Sequence, residues 1–241
     1  MVNSENRTRF VSYRVIPTES FEKWLRKFKA KDREVLRRIN ARLMNMTQGY
    51  FGHVRSVGAG VSESKIDFGP GYRIYFTIRQ NSLVILLIGG DKNTQEQDIQ
   101  EAKKLAEDLP DVFWFKNKMT TKLGKEFDIQ DYLQNEETDF NAFYNACIAE
   151  DPGDGSLVRR ALSEIAKARS MTSLAKQTGL SRQCLYKALL PTSKPSYETI
   201  FKIARALQLP TPLPTASWTC DKPSAETDKA QSDFVGLCSP K

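Results

Sequence analysis

Cysteine is scarce and histidine nearly absent: the 241 residues hold four cysteines and a single histidine, His53. Cys147, Cys184, Cys220 and Cys238 lie far apart and form no C-x-x-C pair, so neither a zinc site nor a disulfide framework is expected. Free thiols in a reducing compartment account for them. Long apolar runs are also missing. The longest, residues 83–88, falls far short of the roughly 20 residues that span a bilayer. The first ten residues, MVNSENRTRF, lack the apolar stretch of a signal peptide. The expectation is a cytoplasmic protein with no membrane partner, no metal and no cofactor. No internal repeat is visible.

Charge is present, but it is unevenly spread. The net +7 divides into +6 over residues 1–110, −4 over 111–150, +6 over 151–210 and −1 beyond. Two basic blocks around an acidic one suggest two nucleic-acid-facing surfaces and a segment able to neutralise one of them. Each half is long enough for only a small core. The expected organisation is a first domain over 1–110, a linker over 111–125, a second domain over 126–209 and a disordered tail over 210–241.

The first part alternates in the manner of an α+β fold. Residues 9–16 can form an edge strand, and 21–29 and 31–46 read as helices. Leu36, Ile39, Leu43 and Met46 make one apolar stripe on the second helix. Gly49, Gly52, Gly58 and Gly60 then end helix formation. Strands are expected over 61–68, 72–79 and 83–88, with turns at Gly69-Pro70-Gly71 and Gln80-Asn81. Thr94 can cap a last helix with Gln97 at the capping-box position, burying Ile99, Ala102, Leu105 and Ala106. The predicted architecture is a small antiparallel sheet with helices, followed by an all-α domain.

Beyond the linker every segment reads as helix: 129–133, 139–149, 157–169, 172–178, 182–190 and 197–207. The most specific motif lies at 171–190. Ala175 is small where a second helix must approach, Gly179 suits a left-handed helix end, and Ser181 can cap the next helix. Leu174, Leu180, Leu185 and Ala188 fill the inward positions of two steeply crossed helices, the pattern of a helix-turn-helix. The second helix would then expose Arg182, Gln183, Tyr186 and Lys187. Arg and Gln can read base edges, while Lys and Tyr suit phosphates. An ordinary amphipathic helix pair is the plainer alternative. The stretch from Ala161 to Leu209, with Ser196 capping after Pro195, resembles the Cro/repressor fold. "EIAKARSMTSLAKQTGLSRQCLYKALLPTSKPSYETIFKIARAL", preceded by "KEFDIQDYLQNEETDFNAFYNACIAED", resembles more closely the addiction-module antidotes related to HigA.

In the first part, "GAGVSESKIDFGPGYRIYFTIRQNSLVILLIGGDKNTQEQDI" resembles the phage-derived, HigB-like killer proteins of the RelE/ParE superfamily. The resemblance implies cleavage of messenger RNA on the ribosome, with the 2′-hydroxyl attacking the adjacent phosphate. It also implies roles for Arg73, in "GYR", for Lys65 and for Lys92. The strand order could bring these three cations over one face, where they would hold RNA phosphates and stabilise charge on the scissile one. The superfamily's best-studied nuclease has a catalytic tyrosine in its last segment, and the corresponding place in this chain falls near Asp98. Tyr72, Tyr75, Asp91 and His53, placed in a glycine-rich loop with Arg55, remain candidates for acid–base work. Arg73 has an alternative as a strand arginine paired with Asp67 across the turn.

Together the resemblances imply a toxin and its antidote in one chain. The partners expected are operator DNA, mRNA on the ribosome, the antidote's contact with its own toxin domain, and a second copy in a homodimer through the antidote domain. The acidic segment around residues 126–150, in which Asp128, Asp131, Glu136, Glu137 and Asp139 are interleaved with Phe127, Tyr132, Leu133, Phe140 and Phe143, is expected to dock on the toxin domain. Two other readings stand beside this: a non-catalytic DNA-binding regulator with a degenerate toxin-like domain, and a gyrase inhibitor.

Overall fold

A computed structural model describes residues 12–109, 123–133, 137–190 and 192–211. The expected disordered tail lies outside the described residues from 212 onward, as do residues 9–11 of the first strand and 111–122 of the linker. The fold is α+β: a five-stranded sheet with helices, then a helical region. No helix among the described residues is long and apolar enough to cross a membrane.

Strand β1 (Arg14–Pro17) leads into α1 (Glu19–Lys31) and α2 (Arg33–Met46). The break between the helices is local. Thr18 caps α1 by accepting the Phe21 N–H at 3.2 Å, and Asp32 ends α1 and caps α2 by accepting the Val35 N–H at 3.2 Å. Four strands follow: β2 (His53–Gly58), β3 (Val61–Ile66), β4 (Tyr72–Arg79) and β5 (Leu83–Gly90), then α3 (Gln95–Glu107). Their order is β1-β5-β4-β3-β2. Gln80 and Asn81 both take positive φ in the short β4–β5 turn, which closes between the paired Arg79 and Leu83.

Three expectations are corrected. The sheet is mixed, because β1 pairs parallel with β5; the α1–α2 crossover returns the chain to the far side of the sheet. His53 is not in a loop but opens β2, an exposed edge strand between glycines, where no apolar alternation marks it. Thr94 stands at the N-cap of α3 without capping it, since its hydroxyl donates to Asp98 Oδ2 at 2.6 Å.

β5 is buried on both sides because each face of the sheet is covered. Phe21, Trp24, Val35, Ile39, Leu43 and Met46 of α1 and α2 pack on Val15, Ile74, Phe76 and Leu86. Ala102 and Ala106 of α3 pack on Tyr75, Ile85 and Leu87 of the other face.

The helical region comprises α4 (Glu137–Glu150), α5 (Ser156–Arg169), α6 (Met171–Thr178), α7 (Arg182–Ala188) and α8 (Tyr197–Ala206), preceded by a 3-10 turn, Ile129–Asp131. Its core, including Phe140, Tyr144, Leu162, Ile165, Leu185 and Ile200, also takes in Ala41 and Met44 of α2. From Ile39 to Met46, α2 is therefore buried all round, wedged between two cores. A second join lies at the sheet edge. Residues 123–127 run along β1: Leu123 bridges Thr18, the Gly124 N–H donates to Pro17 O at 2.8 Å, and the Phe127 N–H donates to Val15 O at 2.8 Å. Leu123 and Gly124, expected in the linker, thus pair along β1 and its end, and an exposed strand edge is covered.

Candidate functional site

The sheet register sets out a row of polar side chains. His53 on β2 stands opposite Lys65 on β3, Lys65 stands opposite Arg73 on β4, and Arg73 stands opposite Gly90 on β5. Residues paired in this way share a face. Lys65, Arg73 and Lys92 line one cleft of about 340 Å³, floored by Phe68 and the Gly69-Pro70-Gly71 turn.

The cations differ in freedom. Lys65 is half-exposed and ion-paired with Asp67, and that hydrogen bond holds the Asp67 carboxyl below the usual range. His53 is exposed, with Nδ1 3.7 Å from Asp67 Oδ2. Arg73 is nearly buried: Nη1 donates to Gly71 O at 2.9 Å, and Nε lies 3.5 Å from Glu63 Oε1. The expected alternative pairing with Asp67 is therefore corrected to Glu63. Glu63 lies two residues before Lys65, on the same face of β3, and collects Arg55 at 3.1 Å and Gln95 at 3.0 Å as well. No local pattern in the sequence marks Glu63 or Arg55 for this role, because the contacts depend on the register of β2, β3 and β4.

The acid–base candidates separate. Tyr75 is fully buried beside Glu63, and burial followed by that charge raises its phenol well above the ordinary value. Tyr72 and Asp91 line a neighbouring cleft of about 510 Å³ between α1 and α3, together with Asp98. Burial raises the Tyr72 phenol. Asp98 is buried over Gly90, where a Cβ would fall 1.8 Å from its Oδ2, and burial pushes its carboxyl up. Among the described residues no cluster of three His, Cys, Asp or Glu side chains is arranged to hold a metal ion.

A third cleft, of about 520 Å³, lies where the helical region meets the sheet. His53, Lys65, Asp67, Arg38 and Arg42 line one side of it, and Glu150 and Asp151 the other. Arg42 and Glu150 form a buried ion pair across the join, Asn45 donates to Glu150 O at 2.8 Å, and Tyr50 donates to Asp154 at 3.2 Å. At the β1 edge Arg14 pairs with Glu126 at 2.9 Å. Glu126 and Glu150 stand at the two ends of the acidic segment expected to dock, and Asp154 lies just beyond it. Asp131 pairs with Lys125, Asp128 accepts the Gln130 N–H, and the side chains of Glu136, Glu137 and Asp139 lie outside the described residues. The apolar part of the expectation fares differently: Phe127 and Tyr132 pack against both the sheet core and the helical core.

The second surface is on α7. Gly179 ends α6 at φ +71°, with open space where a Cβ would stand, so its need is conformational. Ser181 accepts the Cys184 N–H at 3.1 Å and so starts α7. Leu174, Leu185 and Ala188 turn inward, and Arg182, Gln183, Tyr186 and Lys187 are exposed on the outside with Cys184. Ser196 starts α8 in the same way, accepting the Thr199 N–H at 3.2 Å.

The fold and these surfaces define a sheet unit bearing a row of cations, packed against a helical unit with an exposed polar helix. Residues 123–213 match the model of a family described as "Probable addiction module antidote protein". Two proteins of Haemophilus influenzae strain Rd, both described only as uncharacterized, are similar to part of the chain. One is 46% identical over 92 residues, covering 38% of this chain and 91% of the relative. The other is 40% identical over 91 residues, covering 38% and 90%. No solved structure matches the chain. Through this C-terminal part the chain belongs to the addiction module antidote family, which assigns it to a toxin–antitoxin system.

Proposed function

We propose that the chain joins a ribosome-dependent mRNA endoribonuclease, in its sheet unit, to the antidote that silences it. The observation that carries this reading is the docking of the antidote-family part on the cation-bearing unit. Residues 123–127 lie along β1, α4 packs on α2, and Glu150 and Asp151 reach the cleft that holds His53 and Lys65. In the proposed reaction the RNA 2′-hydroxyl attacks the adjacent phosphate and its proton passes to His53, while the P–O5′ bond breaks, leaving a 2′,3′-cyclic phosphate on one product and a 5′-hydroxyl, protonated from solvent, on the other. Lys65, Arg73 and Lys92 meet the charge that grows on the phosphate, the term that usually contributes most in such a site. The RelE-like character of the sheet unit and its boundary near residue 110 belong to this proposal.

The antidote part is proposed to repress its own operon as a dimer. The α6–α7 pair acts as a helix-turn-helix, with Ser181, Arg182, Gln183, Tyr186 and Lys187 on DNA. The exposed polar face of α7 and the caps that fix its ends support this reading. Two such helices, one from each copy, would meet half-sites about one helical turn apart.

A second reading is favoured by one observation: Arg73 is largely withdrawn into contacts with Gly71 and Glu63. On that reading the sheet unit is a degenerate interaction module of a DNA-binding regulator. The two are separated by incubating residues 1–110 with translating ribosomes and mapping mRNA ends. Cuts that disappear with Lys65→Ala support the nuclease. An uncut message from a folded fragment supports the regulator.

A further inference from the structure

Arg42 connects the two units, and the proposed chemistry does not use it. It lies on α2, and its guanidinium rests against the backbone of Gly52, where a Cβ would fall 1.2 Å from Nη1. Gly52 immediately precedes His53, so Arg42 stands at the head of the His53–Lys65–Arg73 row. The same cleft holds Arg38, His53 and Lys65, with Asp67 beside the latter two. Arg38 also lies over the ring of Phe68, which floors the neighbouring cleft of Lys65, Arg73 and Lys92. Glu150 supplies the opposing charge from the C-terminal end of α4. It pairs with Arg42 through one nitrogen, while Arg42 Nε is buried without a hydrogen-bond partner.

Resting on the nuclease reading above, we propose that Arg42 is a phosphate-binding subsite for single-stranded RNA and that the Glu150 carboxylate occupies it in the intact chain. A carboxylate and a phosphate both present paired anionic oxygens to a guanidinium, so one can stand in for the other. The cleft leads from Arg42 past His53 to Lys65, which sets a track for the nucleotides on one side of the scissile phosphate. Silencing then works by competition for a charge as well as by covering the sheet unit.

The test uses the full-length chain and a labelled, uncleavable 2′-O-methyl RNA octamer, with binding followed by fluorescence anisotropy across a salt series. Glu150→Gln should tighten binding about tenfold at low salt and steepen the salt slope by about 0.7, the share of one single-strand phosphate. Arg42→Gln added to Glu150→Gln should remove that gain. Glu126→Gln, which breaks the exposed Arg14 pair of the same join, should leave binding as in the unsubstituted chain. The proposal is overturned if folded Glu150→Gln binds no tighter, if the gain survives Arg42→Gln, or if Glu126→Gln gives as much. Should Glu150→Gln fail to fold, Glu150→Asp, with its carboxylate drawn back, should give a two- to three-fold gain, and no gain there overturns it equally. Lys65→Gln separates the two levels. If it weakens RNA binding while Glu150→Gln does nothing, the subsite fails and the nuclease reading stands; if no variant alters binding, both fail.

Discussion

Lys65 stands directly opposite Arg73 across the β3–β4 pair, one side chain half-exposed and the other nearly buried. The same register gives them one face and one cleft, but different surroundings. Lys65 shares its charge with the exposed Asp67, whereas Arg73 is tied to the buried Glu63. Chemistry and stability should therefore separate between them.

Lys65→Ala is expected to abolish RNA cleavage by the unneutralised sheet unit and to change unfolding stability by less than about 1 kcal/mol. Arg73→Ala should abolish cleavage too, but lower stability by about 1–3 kcal/mol, because Glu63 loses one of its charged partners. Denaturant unfolding beside a ribosome cleavage assay reads both effects. Equal stability losses for the two variants would contradict this division.

Asp98 should make stability depend on pH in an unusual direction for a carboxylate. Burial raises its folded-state pKa above the unfolded value, so its contribution is full at low pH and is lost as pH rises through the folded value. Asp98→Asn keeps an acceptor for the Thr94 hydroxyl and cannot ionise. It should be more stable than the unsubstituted chain at pH 7, with the difference vanishing toward pH 3. A difference that grew on acidification would overturn the assignment.

Because α2 serves two cores, the described halves should unfold together. Ile39→Ala, facing the sheet, and Met44→Ala, facing the helical core, should each cost about 2–5 kcal/mol and lower the same single transition. Separate transitions that respond to one variant each would show that the join contributes little. For the same reason a cut within residues 111–122 should leave the two pieces associated on a sizing column.

On DNA, Gln183→Ala should cost about 1–3 kcal/mol on the operator and little on random sequence. Lys187→Ala should weaken both alike and reduce the salt slope by about 0.9. Equal losses on both DNAs for Gln183→Ala would remove it from base reading.

What could be read in advance follows from the range of the forces involved. The helix ends at Gly179, Ser181 and Ser196 depend on neighbours two or three residues away, so their spacing is visible in the chain. Strand β2 was not legible, because its residues face solvent and carry no alternation of burial. The second buried face of α2 was hidden as well, since Ala41 and Met44 are interspersed with Asn40, Arg42 and Asn45. Arg42 and Asn45 look solvated until their partner is known to be Glu150, 108 residues further on for Arg42. Pairing of residues 123–127 with β1 runs through backbone groups, which every sequence possesses. The cations Lys65, Arg73 and Lys92 were legible as types, but their common cleft depends on a sheet register that only tertiary packing sets.

Growth of a bacterial culture reads whether one part of this chain silences a nuclease in the other. Residues 1–110 are induced alone, with Lys65→Ala, and with residues 111–241 supplied as a separate polypeptide. Arrest with message cleavage is expected for the first, normal growth for the second, and rescue for the third through the β1 edge and α2. Normal growth while the soluble, folded residues 1–110 accumulate, or arrest by the intact chain, would contradict this reading.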